Sequence, residues 1–478
     1  MNNKFSILLL GMFALASSTL KAQSTAASDT MMLSVDDCVK IALNENPTIK
    51  IADMEITRVD YSKKETIGQL FPNVSFSAAY SRTLAKQTMY MNNGGQTMAI
   101  KMGRDNTHNA GFNASMPLIS VALWKSIKLS DNQILQNIEA SRTSRISLIN
   151  QVKNAYYALL LAYDSYDVLV ENHATAKVNA DIYEKKFKNG TASEFDVLRS
   201  SVAVKNIEPS IIEAQNSIRS LELQLKVLMG MDVNQGIKPN TSLSDFKSTM
   251  YADVMAMNSD LSMNADLRKL DLQTDYLKKA IDVQKASWLP TLSATIGYTW
   301  YSMSDGSPFK NFAWSPNSSV GLSLSWTLFN GGQRYYKQKQ AELSYKEMAW
   351  QRDNLSRTLE MQRQIQLDNI QKNVKQIETC TASVEQAVKA NQIQEKSFKI
   401  GASTYLDLRD SEDALMSSKL AYYQAIYNYL VAKSDLELLL GNADVQYPTN
   451  TKDASIRTST ILNEKYPKAS KSTANENK

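Results

Sequence analysis

Residues 186–198 read KFKNGTASEFDVL, and residues 397–409 read SFKIGASTYLDLR. Set 211 positions apart, they place Phe187 on Phe398, Lys188 on Lys399, Gly190 on Gly401 and Asp196 on Asp407. The same offset lays LKVLMG (225–230) on LELLLG (436–441), so that Gly230 falls on Gly441. Matches held at one offset over separate stretches point to a duplicated unit of roughly two hundred residues, an internal two-fold repeat.

Each quoted stretch ends a long run without helix breakers. From Leu118 to Asn189, and again from Gln333 to Ile400, there is neither Gly nor Pro. Mixed charge and recurring apolar residues over such runs predict very long helices. About seventy residues at 1.5 Å each reach on the order of 100 Å, so each helix must pack lengthwise against others. Gly190 and Gly401 then mark the reversals, because glycine accepts the left-handed backbone that ends a helix. Thr191-Ala192-Ser193-Glu194 has the spacing of a capping box for the first returning helix, and Ser403 or Thr404 can cap the second. Pro209 predicts a local kink in the first returning helix. In the second, Leu408, Leu415, Tyr422, Ile426 and Leu430 trace a heptad-like seam.

Shorter segments alternate with period two. Leu292, Ala294, Ile296, Tyr298 and Trp300 share one side of a strand, as do Val320, Leu322, Leu324 and Trp326. Weaker versions carry Val74, Phe76, Ala78 and Tyr80, then Ala110, Phe112, Ala114 and Met116. Four strands of about ten residues, with small polar residues on the other face, have the length and pattern of a transmembrane barrel. A half-buried antiparallel sheet would show the same alternation. The joining segments, around MNNGGQTMAIKMGRDNTHN and SMSDGSPFKNFAWSPNS, read as polar surface loops. If the strands cross lipid they cannot stand alone, because an open sheet edge is not tolerated there.

Composition narrows the function. Lys4, the apolar run Phe5–Leu20 and the small residues near Ala22 read as a secretory leader over 1–22. The net charge of +5 is modest for 478 residues and is not clustered, which does not indicate nucleic acid. The two histidines, His108 and His173, lack partners at metal-ligand spacing, and no phosphate loop or nucleophile elbow occurs. No cofactor, metal or catalytic constellation is expected. Only Cys38 and Cys380 occur, and the Lys-, Asn-, Ser- and Thr-rich stretch 443–478 reads as a disordered tail.

The chain resembles the TolC-like outer membrane efflux protein family over about residues 33–442. The resemblance rests on LSVDDCVKIALNENP (33–47), LFP (70–72), VKNAYYALLLA (152–162), LP (289–290), WTLFNGGQ (326–333), the two glycine turns and the closing LLG, in that order. It implies a mainly α protein with transmembrane β: a homotrimer with four strands per chain in a twelve-stranded outer-membrane β-barrel, continuous with a long α-helical periplasmic barrel. Repeat 1 would span 33–230, with strands at about 73–117, and repeat 2 would span 251–442, with strands at about 291–328. The family's members are passive exit ducts of efflux or type I secretion systems, docked at their periplasmic tips to an adaptor protein and an inner-membrane transporter. A periplasmic coiled-coil adaptor is the alternative, although one hairpin between lipoyl-like β segments would fit it better than two.

By this resemblance Asp407 and Asp410, with Arg409, form the pore constriction, and Gly190, Thr191, Gly401, Ala402 and Ser403 form the adaptor-contacting tips. Crowded carboxylates would raise some of their pKa values. Arg199 stands where the second copy has Asp410, which assigns the constriction to the second copy. The family's Tyr and Arg tie falls on Phe398 and Ser403, which cannot form it. The implied geometry also puts Cys38 and Cys380 at different heights, arguing against a disulfide.

Overall fold

The computed structural model describes residues 30–94, 96–248, 260–308 and 313–442. The expected leader at 1–22 and tail at 443–478 lie outside them. Two helices dominate, α3 (Val121–Lys188) and α6 (Gln333–Lys399), of 68 and 67 residues. Each turns back at its glycine into a 36-residue helix, α4 (Glu194–Met229) or α7 (Tyr405–Leu440). α4 and α7 start and stop 211 residues apart, and α4 runs on through Pro209 as one helix.

The turns are built alike. Thr191 N donates to Lys186 O at 2.8 Å and Ala402 N to Ser397 O at 2.8 Å, closing each descending helix over a glycine with φ of +69° or +77°. Because Thr191 is used in that closure, the capping box starts later than its spacing suggested. Ser193 caps α4 with Asp196, and Thr404 caps α7 with Asp407.

Two shorter helices, α2 (Pro47–Gly68) and α5 (Ala265–Ala286), lead toward the strands. Both start at an asparagine cap that reaches across to the end of a returning helix. Asn46 Nδ2 donates to Leu228 O at 2.8 Å, and Asn264 Nδ2 donates to Leu439 O at 2.6 Å. The exposed carbonyls ending α4 and α7 thus meet donors at the starts of α2 and α5, which satisfies groups a helix end leaves orphaned. In this way α4 and α2 stack end to end, as do α7 and α5. Contacts α3–α4, α3–α7 and α6–α7 set the hairpin helices in the order α4, α3, α7, α6.

Around the stacked junctions lies the main core, with Tyr156, Tyr429, Leu225 and Met229 almost fully buried. The opening segment joins it: β1 (Met31–Leu33), α1 (Val35–Glu45) and β6 (Ile237–Pro239), with β1 and β6 paired in parallel. Tyr156 donates its hydroxyl to Leu33 O at 3.0 Å. Asp164 accepts from Leu243 N at 2.9 Å, and burial raises its carboxyl pKa. Cys38 and Cys380 are both free thiols, and burial pushes the Cys38 thiol up to about 12.

The four expected strands form one antiparallel sheet, in the order β2 (Asn73–Arg82), β5 (Asn106–Ile119), β7 (Thr291–Ser304), β8 (Ser315–Ser325). Its register sorts the faces. Val74, Ala114, Ile296 and Val320 form one row across all four strands, and Ser75, Asn113, Gly297 and Ser319 form the next. Apolar rows are exposed, Val320 at 81% and Leu322 at 71%, although no described helix is long and apolar enough to cross a membrane. β2 and β8 are left as open edges.

One expectation fails. The first joining segment is not an irregular loop: it contains a hairpin of β3 (Gln87–Asn93) and β4 (Gln96–Met102). Its alternation, Met89 and Met91 against Ile100 and Met98, is broken up in the sequence by an Asn-Gly-Gly turn. That turn is itself a hairpin signal.

Candidate functional site: the hairpin tips

The site is the end of the helical body where the two hairpins meet. Gly190, Thr191, Gly401 and Ala402 are exposed, and Ser403 is half-buried. Asp407 and Asp410 are exposed one helical turn apart and line one shallow recess of about 480 Å³ beside Ile393 and Gln394 of α6. The structure therefore brings these two carboxylates to one face. Arg409 points elsewhere: half-buried, it donates to Asp413 Oδ2 at 3.0 Å. Arg199 is exposed on α4.

Within one chain Asp407 is governed by its helix cap. Its Oδ2 accepts from the Thr404 hydroxyl at 2.7 Å and the Thr404 amide at 3.1 Å, and these bonds hold its pKa below the usual carboxylate value.

Sequence reasoning missed what joins the hairpins. Tyr183 of α3, Phe398 of α6 and Tyr405 and Leu408 of α7 form a small buried cluster. Ring centroids lie 5.0 Å apart for Tyr183–Tyr405 and 6.1 Å for Tyr183–Phe398, and Lys186 Nζ sits 4.9 Å over the Phe398 ring. Phe398, unable to make the tie implied by resemblance, is instead a packing residue. The signal was present in the spacing, since Tyr405, Leu408, Glu412, Met416 and Lys419 recur on one face of α7.

Above the cluster that face is polar. Asn179 donates to Glu412 Oε1 at 2.9 Å, Asn172 to Met416 Sδ at 2.8 Å and Lys419 to Glu171 Oε2 at 2.5 Å, all between α3 and α7. Higher still, Lys153 pairs with Glu437 at 2.6 Å, both nearly buried. Burial raises the Glu412 pKa above the usual carboxylate value. A carboxyl raised on folding weakens the fold as it ionises, so its penalty is absent below the unfolded-state pKa and complete above the raised one. Glu412→Gln, which can still accept from Asn179, is expected to raise the thermal midpoint at pH 8 by roughly 2 °C. At pH 4 the same comparison should show no difference.

Comparisons with known proteins agree with this architecture. The family model described as outer membrane efflux protein matches residues 38–231 and 257–442. The alkaline protease secretion protein AprF of Pseudomonas aeruginosa is 23% identical over 427 residues, covering 87% of this chain and 86% of that protein. The outer membrane protein TolC of Escherichia coli K12 is 22% identical over 351 residues, covering 71% of each chain. Among solved structures, the CusC channel superposes with a TM-score of 0.68 at 18% identity, covering 86% of this chain and 93% of that one. The open-state MtrE outer membrane channel of Neisseria gonorrhoeae gives 0.68 at 16% identity, covering 86% of this chain and 89% of that one. With the family model covering most of its length, the chain belongs to the outer membrane efflux protein family.

Proposed function

We propose that three copies of this chain join through the open edges β2 and β8 into a closed barrel. The barrel would continue into a helical tunnel built from two related halves of each chain, and substrates would leave the cell through it. The chain is an outer-membrane exit duct with a large periplasmic portion. The observation that carries the trimer is the sheet itself, with its apolar rows exposed, small polar rows behind them and two unpaired edges. In lipid, such edges persist only when another strand pairs with them.

Asp407 and Asp410 are the groups we place at the constriction, six carboxylates around a three-fold axis, with Arg409 held behind them by Asp413. The exposed turns Gly190, Thr191, Gly401, Ala402 and Ser403 are the surface offered to a periplasmic adaptor, which would couple the duct to an inner-membrane transporter. The relatives support the two export settings, protease secretion by name in AprF and efflux in the family description.

Single-channel recording tests the reading. Purified protein should insert as stable, weakly conducting, cation-preferring pores, because a ring of carboxylates favours cations. Asp407→Asn with Asp410→Asn should reduce the cation preference at least about threefold and raise anion passage. Pores unaffected by both substitutions would remove the constriction from this face. Folded protein that forms no pores would overturn the duct.

A further inference from the structure

Beyond the far ends of β2 and β5, away from the helices, stands the β3–β4 hairpin, a two-stranded sheet of its own. At its base Lys86 bridges Asp105 and Asp305 at 3.0 Å each. Among the described residues no third strand pairs with it, and a lone hairpin is marginal in water. Its register gathers one kind of side chain. Met91 stands directly opposite Met98, Met89 opposite Ile100, and Met102 lies two residues further along the same face. All four methionines are exposed, between 46% and 56%.

The residue type is the informative feature. Strands favour β-branched and aromatic side chains, and those would cover lipid or another protein surface as well as methionine does. Yet four of the chain's 20 methionines fall within residues 87–102, where an even spread would put fewer than one. What separates a thioether from a hydrocarbon of like size is its polarizable sulfur. The ligand that reads this difference is a soft cation, since thioethers select Cu(I) while carboxylates and carbonyls suit Mg, Ca and Mn. Residues 87–102 contain no Asp, Glu, His or Cys, so the hairpin itself offers a harder ion neither carboxylate nor imidazole.

The spacing lets the sulfurs converge. Directly opposite residues have Cβ atoms about 5 Å apart, and diagonal neighbours lie about 7–8 Å apart. Met91 and Met98 form the short side of a triangle whose third corner is Met89, diagonal to Met98 and two residues from Met91. Three unbranched side chains can turn their sulfurs to one point above such a triangle. We infer that the thioethers of Met89, Met91 and Met98 bind one Cu(I) on the exposed face of this hairpin, with Met102, diagonal to Met89, beside them. Because both strands supply ligands, the ion clips β3 to β4 and its binding is linked to the hairpin's stability. This goes beyond the duct reading and does not require the pore to conduct.

The test is a Cu(I) titration of the detergent-solubilised full chain, under argon with ascorbate, read by competition with the chromophoric chelator bicinchoninate. Cys380→Ala is the common background, because a half-buried thiol would also take Cu(I), whereas Cys38 is fully buried. One Cu(I) per chain should be held, and Zn(II) should not displace it. Met91→Leu with Met98→Leu keeps the apolar area and removes two sulfurs, so it should weaken binding about tenfold or more. Met89→Leu should weaken it about threefold or more, and Met54→Leu, exposed on α2, should leave it unchanged. These positions are exposed, so helical circular dichroism should be the same in every variant. X-ray absorption at the copper edge should show sulfur ligands alone. No Cu(I) held, displacement by Zn(II), nitrogen or oxygen ligands, or indifference to the hairpin leucines overturns the proposal and leaves the face as an apolar contact surface.

Discussion

Gly441→Ala should destabilise the protein far more than Gly401→Ala, although both glycines have positive φ, +70° and +77°. At Gly401 nothing lies within 4 Å of an added Cβ, so alanine pays only the left-handed backbone cost, about 1 kcal/mol. At Gly441 the added carbon would overlap the carbonyl oxygen of Met263 and sit 3.2 Å from Asn264 Cα. The stacked ends of α7 and α5 must then part. Parting breaks the Asn264–Leu439 bond at 2.6 Å and the Arg142 Nη2 bond to Gly441 O at 2.6 Å. Overpacking with the loss of two partly buried hydrogen bonds, one of them charged, comes to about 4 kcal/mol. Gly230→Ala meets Glu45 O at 2.8 Å and should fall between the two. Denaturant unfolding followed by helical circular dichroism ranks the three. Equal losses for Gly441→Ala and Gly401→Ala would show that the junction yields freely.

That ranking could not be foreseen from the sequence, and the reason is physical. Gly230 and Gly441 are visible as helix terminators because a left-handed residue is a local requirement. Their neighbours, Glu45 and Met263, lie 185 and 178 residues away in the chain, and no local pattern records a contact of that range. The long helices and the four strands were legible for the opposite reason. Absence of Gly and Pro over about seventy positions, and period-two alternation, are properties of a segment alone.

The site divides in the same way. Asp407 and Asp410 were named by resemblance, and that they share a face follows from their i, i+3 spacing whatever the surroundings. Arg409 was named with them by the same resemblance, but on the helix it faces away, toward Asp413. The aromatic cluster needed Tyr183 to meet Tyr405 across 222 positions of sequence, and the spacing that puts Tyr405 and Leu408 on one face of α7 does not say which helix that face meets. The β3–β4 hairpin was missed differently. Its alternating Met and Ile residues were legible, but the polar turn between them gave the whole segment the composition of a loop.

Phe398→Ala with Tyr405→Ala should loosen the tips by about two orders of magnitude in local opening. Tyr183, Phe398, Tyr405 and Leu408 are the buried apolar contacts between the hairpins at this end, separate from the main core above. Truncating a buried aromatic costs about 3–5 kcal/mol, and these rings bridge three helices. The polar bonds above them, such as Asn179–Glu412, are individually worth about 1–2 kcal/mol and cannot hold the hairpins against thermal opening alone. If only about 3 kcal/mol falls on the local opening step, amide exchange at 180–190 and 395–408 should speed up about 10²-fold. Exchange in the core around Tyr156 and Tyr429 should stay unchanged. In the proposed trimeric duct, with Asp407 and Asp410 at its constriction as proposed, the same parting would draw them away from the axis, so single-channel conductance should rise several-fold. The two readouts separate the claims. Fast exchange with unchanged conductance keeps the aromatic cluster as the clasp between hairpins and moves the constriction elsewhere. Unchanged exchange means that the polar seam holds the tips without the rings.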